Sequence, residues 1–207
     1  MPQDRKARQP LEIVVDTPKG SRNKYKHDER RDVFVLHKLL PEGLPFPFDF
    51  GFVPETRGDD GDALDVLVIH AEATFVGCRV PVRVLGVLQA EQTEKSGETI
   101  RNDRIVAVPE TKKIRPRERT LDDLPAGLLD SIERFFVTYN EAEGRRFTVL
   151  GRGGPAEAVR LVAEGRSAAT RKARSARTRA SSTRPQRGGK PAARRRPARS
   201  SSRRSRR

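Results

Sequence analysis

Residues 59–68 read DDGDALDVLV, with four carboxylates in seven residues leading straight into an apolar run. Like charges this close repel, and carboxylates lose solvation beside a core, so the cluster costs stability unless something positive gathers it. Asp60, Asp62 and Asp65 stand at i, i+2 and i+5. In an extended or turning backbone 60 and 62 share a face, and a turn at Gly61 brings 65 into the same bowl. Three hard oxygen donors suit Mg²⁺ or Mn²⁺, which keep several waters and bind through a few carboxylates plus a substrate phosphate. An EF-hand is excluded: counting from Asp60, the positions that need glycine and a bidentate glutamate hold Asp65 and Ala71. The plain alternative is a solvated acidic turn capping a strand. Against it stand the core strand that follows and three cations, Lys24, Lys38 and Arg104, each in or next to a predicted strand. Together with a metal bowl they describe a site for a multiply charged anion.

Strands must hold these residues in place. LEIVVDTPKG (11–20) reads as a strand ending in a turn, and DVFVLHKLL (32–40) alternates with period two. PEGLPFPFDFGFVPE (41–55) has too many prolines for a central strand, yet carries four phenylalanines, which predicts an irregular segment packed inward by its rings. LDVLVIH (64–70), CRVPVRVLGVLQAE (78–91) and DRIVAVPE (103–110) predict further strands. The period then changes: Leu128, Leu129, Ile132, Phe135, Phe136 and Tyr139 share one helical face, with Gly144 as a stop. FTVLG (147–151) is a short strand, and GPAEAVRLVAEG (154–165) a closing helix with proline in its first turn. The fold class expected is α+β, mainly β: a small closed, OB-like barrel of about five strands flanked by two helices.

Composition divides the chain. Of its 43 basic residues, 17 lie between Gly165 and Arg207, where there is no acidic residue and no Leu, Ile, Val, Phe, Tyr or Trp. Residues 1–164 keep 26 basic against 28 acidic side chains and are nearly neutral. The expected organisation is one folded domain over 1–164 and a disordered Arg/Ser/Ala/Pro-rich tail over 165–207, which has too little apolar surface to offset chain entropy. The single cysteine, Cys78, excludes an intrachain disulfide and reads as a small core residue. No signal-like segment follows the charged MPQDRKARQP, and no 18-residue apolar run occurs. A soluble cytoplasmic protein without a membrane partner is the simplest expectation.

Taken with its neighbours, the acidic stretch resembles the signature of the soluble family I inorganic pyrophosphatases, Asp-x-Asp-Pro-x-Asp before an apolar strand, with Ala63 in place of proline. NKYK (23–26), FPFDFGFVPET (46–56), RVLGVL (83–88), DRIVAVP (103–109), DLP (123–125) and RFFVTYN (134–140) follow in the family's order, and the resemblance spans nearly all of 11–164. It implies metal-dependent hydrolysis of pyrophosphate by a metal-activated water, with Mg²⁺ or Mn²⁺ as cofactor and a homo-oligomer, commonly a hexamer in bacteria. Position by position, Asp60, Asp62 and Asp65 match metal ligands, and Asp65 also orients or deprotonates the attacking water. Lys24 and Tyr139 match phosphate contacts. Lys38 stands for arginine, Arg104 for lysine and Asp16 for glutamate, which keeps charge but alters reach. Other positions depart further: Lys26 replaces an acid, Phe46 and Phe50 replace tyrosines, and Asn140 replaces a lysine. The family's second acidic pair, two aspartates five apart, falls on Gly97 and Asn102 when aligned back from Arg104, or begins near Gln92, beside Glu91, when aligned forward. A register shifted by one restores the spacing with Glu98 and Asp103, so GETIRND is expected to supply these ligands through a bulge. The tail suggests a second function: its basic runs resemble chromatin-protein arms, and a weakly active scaffold could bind nucleic acid or polyphosphate through them.

Overall fold

The computed structural model describes residues 11–182, with side chains through Ser175. The elements in chain order are β1 (Leu11–Thr17), β2 (Asn23–Asp28), β3 (Val33–Leu39), β4 (Asp49–Phe52), β5 (Asp65–Val68), β6 (Arg79–Thr93), β7 (Thr99–Arg101) and β8 (Arg104–Pro109). A 3₁₀ turn (Leu121–Asp123), α1 (Leu128–Ala142), β9 (Arg146–Gly153) and α2 (Pro155–Ser182) follow.

Five strands close on themselves. β1 pairs with β4, β4 with β5, β5 with β8, β8 with β6, and β6 returns to β1. All these pairings are antiparallel except β5 with β8. Closure leaves these strands no free edge. The length of β6 allows its second half to leave the ring and pair with β7 and β9. The expected barrel of about five strands with two helices is therefore present.

Both faces of β5 and β8 are covered, which is why VLV and RIVAV read as continuous apolar runs rather than alternating ones. Val66, Val68, Ile105 and Ala107 pack with Ile13, Val15 and Val82, and Val162 of α2 closes that cluster. Leu67, Val106 and Leu88 pack the other way, against Leu129, Ile132 and Phe136 of α1. Cys78 is free, partly buried and set at the margin of the first of these clusters.

Two expectations are corrected, and two strands join those the sequence predicts. Asp49–Phe52 is a central strand, because Pro45 and Pro47 precede it and DFGF itself contains no proline. β2 carries no apolar alternation, since its hairpin with β3 stands apart from the main sheet; Leu36 and Leu39 of β3 are exposed. The three-residue β7 is too short to show a period in the sequence. Finally, α2 does not stop at Gly165 but runs to Ser182, so residues 165–182 are helical where a disordered tail was expected. The remainder of the predicted tail, 183–207, lies outside the described residues, as do residues 1–10. Among the described residues no helix is long and apolar enough to cross a membrane.

Candidate active site

Three segments of backbone meet at a cleft of about 750 Å³. The first is β1, where Val15 pairs with Gly51 and Thr17 with Phe50, leaving Asp16 as the extra residue of a bulge. A bulge re-aims a side chain, and Asp16, although only 9% exposed, lines the cleft. The second is the β2–β3 hairpin, which sets Lys24 directly across from Lys38. Like charges in that position repel. They are held by other partners: Lys38 Nζ donates to Glu143 Oε2 at 2.8 Å, and Lys24 Nζ lies 4.9 Å from the centre of the Phe50 ring and 5.7 Å from that of Tyr139.

The third segment is the loop from Val53 to Asp65. Thr56 Oγ1 donates to the Val53 carbonyl at 2.6 Å and accepts from Leu64 N at 3.0 Å, while Gly58 N donates to the Asp62 carbonyl at 2.8 Å. Gly61 turns the chain at φ +88°, with the Arg57 guanidinium against it, so the turn expected there is present. Asp60, Asp62 and Asp65 consequently line the same cleft as Asp16, Lys24, Lys38, Arg104 and Tyr139.

The charges are already partly matched. Lys26 Nζ lies 3.2 Å from Asp62 Oδ2 in an exposed pair, and Arg104 Nη1 lies 2.7 Å from Asp65 Oδ2. Arg104 is only 5% exposed. Its guanidinium sits 5.4 Å from the ring centres of both Phe136 and Phe147, and Nη1 also donates to the carbonyls of Asn102 and Asp103 and to Asn102 Oδ1. Burial raises the Asp16 pKa to about 6, with Asp65 adding to the rise while Lys24 and a hydrogen bond from Thr17 oppose it. Asp60 is exposed as a residue, yet crowding of its carboxyl raises its pKa too, assisted by Asp65 and Asp62. Burial pushes Tyr139 upward, but Lys24 and Lys38 outweigh it and lower the phenol's pKa. Asp49, fully buried, shows the structural counterpart. Burial pushes it up as well, but hydrogen bonds from His70, Thr74 and Lys19 hold its carboxyl below the ordinary range. Asp49 has several donors to hold its charge, whereas Asp16 has one side-chain hydrogen bond, from Thr17.

The second acidic pair expected in the shifted register, Glu98 and Asp103, is not brought together at the cleft. Glu98 is exposed in the β6–β7 turn, where its carbonyl accepts from Glu94 N at 2.8 Å, and it does not line the cleft. Asp103 lines a smaller adjoining cavity of about 190 Å³, and its Oδ1 already accepts from Ala90 N at 2.9 Å and Arg101 Nε at 2.6 Å. The inserted length is absorbed by the turn, since Gln92 pairs with Ile100, and no bulge is needed. The residues facing the cleft from this side are Gln92, Glu94 and Asn102, with Asn102 Nδ2 3.4 Å from Gln92 Oε1. Asn140 is wholly buried and donates to the Phe136 carbonyl at 2.8 Å, so it presents nothing to the cleft. Sequence reasoning missed Arg57, Arg145 and Lys172, which also line it. None belongs to a motif, and only the fold brings them near.

Among the described residues no three acidic or histidine side chains converge tightly enough to hold a metal ion as they stand, because Asp62 turns to Lys26 and Asp65 to Arg104. By chemistry the acidic wall still fits a hard divalent cation: it offers carboxylate oxygens, two of them on groups whose ionised form is disfavoured and would be relieved by a cation. The opposite wall offers the amides of Gln92 and Asn102 and one carboxylate, Glu94, whose Oε1 already accepts from Gln92 Nε2 and lies 3.8 Å from Arg145 Nη1.

The sequence model of the inorganic pyrophosphatase family matches residues 13–170. An inorganic pyrophosphatase of Methanosarcina acetivorans is 36% identical over 164 residues, spanning 79% of this chain and 95% of its own length. One from Halalkalibacterium halodurans is 36% identical over 154 residues, spanning 74% and 91%. Among solved structures, the inorganic pyrophosphatase of Thermus thermophilus superposes with a TM-score of 0.70 at 29% identity over 82% of this chain and 97% of that one. That of Neisseria gonorrhoeae gives 0.71 at 28% identity, over 78% and 92%. The chain belongs to the inorganic pyrophosphatase family.

Proposed function

We propose that this protein hydrolyses inorganic pyrophosphate to two phosphates with a divalent cation, Mg²⁺ or Mn²⁺, held by Asp60, Asp62 and Asp65 with Asp16 beside them. One observation carries the reading: a wall of carboxylates and a set of cations, Lys24, Lys38, Arg104 and Arg145, line a single cleft. A small polyanion would fit between them, with the acids available to hold the cation and the lysines to bond the phosphates.

A divalent cation bound there would lower the pKa of a water and neutralise phosphate charge. Asp65 orients the attacking water and takes its proton on the carboxylate oxygen not engaged by Arg104. The new P–O bond forms at one phosphorus as that phosphorus's bond to the bridging oxygen breaks, and the bridging oxygen leaves with the other phosphate. Lys24 and Lys38 stabilise the phosphate that leaves, and the Tyr139 hydroxyl donates to it. Arg104 holds Asp65 in place through the 2.7 Å contact. No strongly basic side chain is required. Incubating the full chain with pyrophosphate and Mg²⁺ tests this: two phosphates should appear per pyrophosphate consumed, and chelation should stop the release. Continued release in excess chelator would reject the cation's part.

A further inference from the structure

Helix α2 has one face that changes character along its length. Ala158 and Val162 are buried in the core, Leu161 packs beside them, and Gly165 is buried against Leu64 and Thr56. A Cβ on Gly165 would lie 2.7 Å from Leu64 Cδ1, and the Gly165 carbonyl accepts from Arg57 N at 3.0 Å. The helix is thereby clamped onto the loop that carries Asp60, Asp62 and Asp65. Seven residues at about 100° each return to within about 20° of the starting direction and advance about 10.5 Å along the axis. From Gly165 that step reaches Lys172, which lines the cleft together with Lys24, Lys38 and Asp62.

Three features separate Lys172 from an ordinary surface lysine. It lies beyond residue 170, where the match to the family model ends, in the C-terminal part of this helix. It is carried on a continuous helix rather than a loose arm. Lys26 and Lys38 are each committed to a carboxylate at 3.2 Å and 2.8 Å, but among the described residues no such pairing is made by Lys172. A cation at the mouth of a phosphate cleft without an acidic partner is available to an incoming anion.

We propose that Lys172 is a substrate-binding residue: the basic extension of α2 supplies a phosphate contact at the open side of the cleft. The inference rests on the cleft being the pyrophosphate site. Its role is in binding rather than in the bond-breaking step, because it stands at the mouth, so its loss raises KM and leaves kcat nearly unchanged.

Calorimetry of the full chain with Mg²⁺ and methylenediphosphonate, a pyrophosphate analogue that is not hydrolysed, reads this contact without turnover. Lys172→Ala should weaken the analogue about fivefold and raise KM for pyrophosphate by the same factor, as expected for one screened charge contact. Lys172→Arg should stay within about twofold of the parent, and so should Arg166→Ala, an exposed residue of the same helix that lines neither cavity. If Lys172→Ala matched Arg166→Ala in both quantities, the assignment would be overturned. A parent chain that released no phosphate, but lost analogue affinity on Lys172→Ala, would reject hydrolysis and leave the contact standing.

Discussion

The two walls of the cleft handle charge in opposite ways. On one, Asp60, Asp62 and Asp65 crowd a turn and draw in Lys26 and Arg104. On the other, Gln92 and Asn102 face the same space with neutral amides, Asn102 Oδ1 is occupied by Arg104, and the one carboxylate there, Glu94, is engaged by Gln92 and Arg145. Carboxylates attract hard cations and amides do so weakly. The donors best suited to a hard cation therefore lie on one wall, where Lys26 and Arg104 already engage Asp62 and Asp65. Arg104 joins the walls, reaching Asp65 on one side and Asn102 on the other.

Breaking that link should have the largest effect. Arg104→Ala removes a buried cation from Asp65 and from its aromatic box, and the loss should destabilise the fold by about 3 kcal/mol in denaturant unfolding. A change below about 0.5 kcal/mol, typical of surface positions, would mean Arg104 is not the bridge. Converting the amide wall sharpens the contrast: the double variant Gln92→Asp with Asn102→Asp should bind Mn²⁺ about tenfold more tightly by calorimetry, since two hard donors are added. Unchanged affinity would show that the walls do not differ as argued. Lys26→Ala frees Asp62 from an exposed competitor and should tighten Mn²⁺ by about threefold, an effect that high salt erases in the parent too. The smallest effect is in pH. Asp16 is neutral below about 6 and ionised above it. Mn²⁺ affinity should therefore weaken as pH falls through 6, and Asp16→Asn should flatten that dependence. Stability runs the other way: the folded state keeps its proton where the unfolded chain has lost it, so without metal the fold loses stability as pH climbs from 3.8, the ordinary aspartate value, to about 6, and the penalty stays above that.

Much of the fold was legible because burial imposes a period. The face of α1 read from Leu129, Ile132, Phe136 and Tyr139 is the buried one, and the core strands β5, β6 and β8 lie where their apolar runs stand. What was not legible lacks that imprint. NKYKHD of β2 borders the cleft rather than the core and so carries no apolar alternation. DFGF is four residues long and hidden behind prolines. The acidic wall could be read because its three aspartates share one turn, where spacing along the chain is spacing in space. The amide wall could not, because the distance from Gln92 to Asn102 is set by a hairpin register and not by the number of residues between them. Lys172 is further still from any local signal: its place depends on where a helix docks, which Gly165 and Leu64 decide.

The most direct test of the account is the rate of phosphate release from pyrophosphate in Mg²⁺, measured side by side for the full chain and for Asp65→Asn. The variant keeps the size of the side chain and its contact surface but loses the carboxylate that holds the water. Two phosphates per pyrophosphate are expected from the parent and a rate about 100- to 1,000-fold lower from the variant, the range expected when a proton acceptor is removed. Equal rates for the two proteins would contradict it.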